Sequence, residues 1–72
     1  MMLIFTKLSE NASKIIYNIM NGVFGTAEYD KTLNYVKFFD ENGKEFSDST
    51  YKIAFSKVAE NNFPESYTYA YC

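Results

Sequence analysis

Short apolar runs separated by polar punctuation set the frame of this chain. Met2 to Leu8 is an apolar run rich in strand formers and reads as a buried first strand. Ser9 then offers an N-cap, and Glu10 an acid in the first helical turn. Ala12, Ile15, Ile16, Ile19, Met20 and Val23 recur at helical spacing and predict an amphipathic helix that Asn21-Gly22 would stop. Tyr17 falls off that stripe. Thr26 to Asp30 reads as a short strand or a loop. Leu33 to Phe39 reads as a strand, Asp40 to Gly43 as a tight hairpin turn, and Lys44 to Phe46 as the returning strand. Ser47 or Asp48 can cap a second helix whose stripe is Tyr51, Ala54, Phe55 and Val58, with Ile53 on the opposite side. Asn61-Asn62 frays that helix and Pro64 blocks its continuation. Ser66 to Tyr71 alternates strictly and reads as a last strand.

The resulting order is β-α-β-β-α-β. It predicts an α+β fold of the ferredoxin-like, split βαβ kind: an antiparallel sheet with both helices on one face and the first and third strands in its centre. A fifth strand is added if Thr26–Asp30 is extended. Residues 1–72 form a single domain on this reading, with no repeat or linker.

Composition changes the picture most by what is missing. Phe, Tyr, Met, Ile, Asn and Lys make up half of the chain, and His, Arg, Trp and Gln do not occur. No imidazole can move protons or bind a metal, and no guanidinium can clamp a carboxylate or phosphate. The only Cys is Cys72, so no intrachain disulfide forms and no base stands ready to activate the thiol. No catalytic residue, cofactor or metal site is expected, and the chain reads as a non-enzyme. A domain of this size buries only ~60% of the surface of its unfolded chain. The aromatic fraction of 19% is the expected compensation. No 7–15-residue apolar signal core and no ~20-residue apolar span is present. With a lone unpaired Cys, this points to the cytoplasm.

The net charge of −2 lacks the basic footprint of a nucleic-acid binder. One stretch nevertheless is similar to the RNA-recognition-motif family. Lys31 to Phe38 matches its strand octamer at Lys31, Tyr35, Val36 and Phe38, while Thr32, Leu33 and Asn34 depart from it, so both glycines and one stacking ring are absent. Leu3 to Leu8 is similar to the family's other short strand motif, with Ile4 where a ring belongs. The resemblance implies single-stranded nucleic-acid binding on an open sheet face.

The remaining candidates are surfaces. Asp40, Glu41, Glu45 and Asp48 gather near the hairpin with a spacing that fits a solvated turn better than a calcium loop. Tyr67, Tyr69 and Tyr71 share one face of the last strand, where they either cover the core or form a contact surface. Tyr35 is placed on the neighbouring sheet surface. The preferred reading is a protein-binding domain acting stoichiometrically on a larger protein, through Tyr35, Tyr67, Tyr69, Tyr71, Asp40, Glu41 and Glu45. Small size and an alphabet typical of AT-rich genomes make its concrete form an inhibitor encoded by a phage or mobile element, aimed at a host defence nuclease or transcription component. That last step rests on association and not on a motif. An RNA-recognition-motif-like nucleic-acid binder is the alternative, and a self-associating structural protein that pairs an edge strand or a Tyr face, as in a homodimer, the third reading.

Overall fold

The computed structural model describes residues 2–22 and 24–71. Val23 of the expected helical stripe and Cys72 lie outside them. Six strands and one helix follow in the order β1 (Met2–Glu10), β2 (Lys14–Met20), β3 (Phe24–Asp30), β4 (Tyr35–Phe39), β5 (Glu45–Phe46), α1 (Ser49–Glu60) and β6 (Ser66–Ala70). The strands form one antiparallel sheet in the order β5-β4-β3-β2-β1-β6. β1 to β5 are a meander of hairpins. α1 then crosses one face, and β6 pairs with β1 at the far edge. The molecule is a small single domain of one sheet and one helix among the described residues.

This overturns the ferredoxin-like expectation of two helices. The segment expected as the first helix is β2. Its Ile15, Tyr17 and Ile19 are buried while the residues between them are not, which is period two. The same isoleucines also satisfy a helical stripe, so spacing alone does not separate the two. Residue type does, because β-branched and aromatic side chains favour the pleated surface. The local turn chemistry agrees. Ser9 and Glu10, expected to start a helix, are the last residues of β1, and Asn11 Oδ1 accepts from the N–H of Ser13 and of Lys14, both at 2.8 Å, closing the β1–β2 hairpin. Tyr17, expected off the apolar stripe, is fully buried. Thr26–Asp30 is extended, as part of β3, and the sheet centre is β2–β3 rather than the first and third strands of the expected fold.

The other elements follow their sequence signals, except that Leu33 and Asn34 lie in the β3–β4 turn and Lys44 and Tyr71 fall just outside β5 and β6. Asp48 caps α1, accepting from Thr50 N at 2.8 Å and Tyr51 N at 3.3 Å. Ala54, Phe55 and Val58 are buried and Ile53 is exposed. The helix ends at Asn61, after which Asn62 and Phe63 take positive φ of 62° and 51°. That geometry is uncommon for a bulky residue; Phe63 is held there by its N–H bond to Val58 O and by packing on the Tyr29 ring at 4.9 Å. Gly43, at φ 79°, makes the β4–β5 turn.

The core lies between α1 and one sheet face and is largely aromatic. Phe55 is its hub, with Phe5, Tyr17, Tyr29, Phe38 and Phe63 at centroid distances of 5.7 to 6.4 Å, mostly edge to face. Tyr17 also carries a polar tie. Its hydroxyl donates to Pro64 O at 2.6 Å, fixing the link from α1 to β6 against the middle of the sheet.

Two outcomes are expected here. Phe55→Ala removes the hub at a cost of ~3–5 kcal/mol, close to all the stability so small a core supplies, and abolishes the cooperative thermal transition. Tyr17 gives a pH test. Burial first, then the carboxylates of Glu10 and Glu65, push its ionisation from the ordinary 10.0 up to about 12. Between these values the unfolded chain releases the proton and the folded one keeps it, so the stability Tyr17 contributes is whole below pH ~10 and is lost as pH rises toward ~12. Melting temperatures of wild type and Tyr17→Phe, measured from pH 8 upward, should show a steeper alkaline fall in the wild type.

Candidate interaction surface

One helix covers one face of the sheet, and among the described residues no element lies over the other. Registration places its side chains in rows. Ile4 lies opposite Thr68 on one side and Met20 on the other, and Met20 lies opposite Phe24. Met2 is two residues before Ile4 and therefore on the same face. Met2, Met20 and Phe24 are 53%, 40% and 59% exposed. Half-buried Phe39, opposite Thr26, extends this apolar end toward β5. The other end of the same face is charged. Lys14 pairs with Glu28 at 2.8 Å, which raises the Lys14 ionisation through that hydrogen bond. Lys37 lies across from Glu28, and Tyr35 across from Asp30.

The apolar end folds over the sheet rim into a depression of about 200 Å³, lined by Ile19, Phe24, Gly25, Asp40, Phe46 and Tyr51. Gly25 makes it by close approach. A Cβ there would stand 2.8 Å from the Phe39 carbonyl oxygen, so only glycine lets β3 and β4 meet at this corner. Asp40 and Glu41 stand beside Phe24 and line the adjoining depression with Asn18 and Thr26.

The residues singled out from sequence are thus divided. Asp40 does local work: Oδ1 accepts from Asn42 N and Lys44 N, both at 2.9 Å. Glu41 and Glu45 are exposed and join no ion pair among the described residues. Glu45 lies opposite Phe39. Tyr35 is 52% exposed but sits at the charged end of the bare face. Tyr67 and Tyr69 lie on the helix-covered face, half-buried against the core opposite Phe5 and Leu3. Tyr71 is half-buried too, its ring stacked on Tyr69 at 6.0 Å. The acids therefore adjoin Phe24 rather than the three C-terminal tyrosines. Met2, Ile4, Met20 and Phe24 were not among the expected contact residues, since Met20 had been assigned to a helix and Ile4 to a buried strand. The signal that finds them is apolar side chains at both parities along β1 and β2.

Among the described residues no three His, Cys, Asp or Glu side chains converge on a metal-sized point. Lys7 and Lys31 bond Glu10 at 2.7 and 3.0 Å and hold its carboxyl below the ordinary range, on the exposed surface. No described helix is long and apolar enough to cross a membrane. Comparison with family models, curated proteins and solved structures found no match to this chain.

The corner yields a paired expectation. Gly25→Ala drives a methyl into the Phe39 carbonyl and should destabilise by ~1–3 kcal/mol. Phe24→Ser, next to it, removes an exposed ring and should stay within ~0.5 kcal/mol. Thermal denaturation of both checks this.

Proposed function

We propose that the protein is a non-enzymatic binding domain that docks on a larger protein through the apolar end of its bare sheet face. The observation carrying this is the row of Met2, Ile4, Met20 and Phe24, large apolar side chains held in register on one sheet face with no layer over them among the described residues. Adjoining exposed apolar side chains of this kind mark interaction sites. The acids at its rim give the partner's chemistry: an apolar knob flanked by Lys or Arg. Asp40, Glu41 and Glu45 steer the encounter, raising the on-rate more than the final affinity. An aromatic beside acids is the recognition principle, with Phe24 as the central ring in place of the tyrosines expected from sequence.

The concrete version is a stoichiometric inhibitor. Proteins that handle nucleic acids expose Lys and Arg to neutralise phosphates, which suits them to an acidic rim. A defence nuclease or a transcription component fits, and a phage or mobile element as the source accords with the size and residue alphabet.

Capture of partners on immobilised wild type and on the Phe24→Ser/Met20→Ser variant tests this. Wild type should retain one basic-surfaced protein at a fixed ratio, with an association rate that falls as salt rises. The variant should retain its melting temperature and lose the partner. A variant that binds all that wild type binds would overturn the assignment of the face.

Single-stranded oligonucleotides are expected not to bind tightly at physiological salt, because Glu28, Asp30 and Glu45 share the face with Phe24, Tyr35 and Phe39. Fluorescence anisotropy with mixed-sequence DNA and RNA checks it. Submicromolar binding with a steep salt dependence would favour the nucleic-acid reading instead.

A further inference from the structure

The two edges of the sheet are protected unequally. β5 is two residues long, too short to template another strand. β6 is five residues long, Ser66–Ala70, with no charge, no Pro and no bulge in its pairing with β1. Native edges are normally blunted by such devices, and none lies within Ser66–Ala70.

The direction of its free peptide groups follows from one bond. Lys7 N donates to Glu65 O at 2.8 Å, continuing the β1–β6 register. Backbone polar groups of an antiparallel strand alternate in direction. Those of Tyr67 and Tyr69 therefore point to β1, and those of Ser66, Thr68 and Ala70 point outward.

The side chains along β6 are close to a palindrome: small, Tyr, Thr, Tyr, small. We propose that β6 pairs antiparallel with β6 of a second copy, about a two-fold axis at Thr68. That register joins Thr68 to Thr68 of the second copy and Ser66 to Ala70 of the second copy, each pair exchanging two backbone N–H···O=C hydrogen bonds. It sets Tyr67 against Tyr69 of the other copy on the helix side, a favourable aromatic cross-strand pair. No like charges are opposed, since Glu65 falls across from Tyr71. On the bare face, Ile4 adjoins Thr68 in each copy, so the two apolar patches become neighbours across the axis. A two-fold interface is closed, so one edge-to-edge contact gives a dimer and not a fibre. A palindromic strand is what distinguishes a second copy from any other extended segment as the occupant.

The test is mass in solution by sedimentation velocity, from micromolar to millimolar protein. Wild type should reach twice the monomer mass. Thr68 is exposed on the bare face, so Thr68→Lys and Thr68→Glu leave the core untouched, and unchanged melting profiles verify that. Each variant alone places like charges across the axis and should stay monomeric. Mixed in equal amounts, they place Lys against Glu and should recover the doubled mass. A wild type that stays monomeric at millimolar concentration overturns the proposal, even if a foreign β-strand peptide binds the edge. A dimer that survives in Thr68→Lys alone overturns it as well, since it would be built on another surface.

Discussion

Phe55 holds this fold together. Its ring meets Phe5 from β1, Tyr17 from β2, Tyr29 from β3 and Phe38 from β4, and it also touches Phe63 just beyond its own helix. One side chain thus ties the helix to four strands in succession. Large rings suit this position, because each buries much apolar surface and edge-to-face contact adds a little more. The Tyr17 hydroxyl completes the arrangement by anchoring the Pro64 carbonyl, so the chain leaves α1 in the place that lets β6 reach β1.

A single helix cannot cover a six-stranded sheet on both sides, and everything outside the core follows from that. The covered face takes Leu3, Phe5, Ile15, Tyr17, Ile19 and Phe38 to near-complete burial. The uncovered face keeps apolar residues at one end and charged pairs at the other. Turns are closed locally and do not draw on the core: Asn11, Asp30, Asp40 and Asp48 each accept backbone N–H bonds just downstream. The acids that cluster in the sequence are therefore partly turn-builders. Glu41 and Glu45 are exposed and join no ion pair among the described residues.

How much was legible in the sequence depended on whether local and long-range signals pointed the same way. They agreed from Tyr35 to Ala70. The Asp40–Gly43 turn, the Asp48 cap, the buried stripe of α1, exposed Ile53 and the alternation of β6 all carry local chemistry strong enough to read. They disagreed at Ser9–Gly22. There an isoleucine-rich run fits period two and period 3.6 together, Ser9-Glu10 mimics a helix start, and Asn21-Gly22 serves a hairpin as readily as a helix end. Weighting Ile15, Ile16, Tyr17 and Ile19 by β-propensity favours the strand. The candidate surface was missed for the same reason. A wrong period moves Met20 and Ile16 into the core and Tyr17 out of it. The side of the sheet taken by Tyr67 and Tyr69 was not legible at all, because the β1–β6 register that decides it is a pairing between the two ends of the chain.

The central claim is a sheet with one covered and one bare face, with β2 alternating between them. The most direct measurement is solvent accessibility of methyl groups in the intact protein, by NMR relaxation from a soluble paramagnetic chelate. The account predicts strong relaxation for the Met2 and Met20 methyls, intermediate relaxation for Ile16, and little for Ile15 and Ile19. Equal protection of Ile15, Ile16, Ile19 and Met20 would contradict it, since that pattern belongs to a helix or to a face already covered.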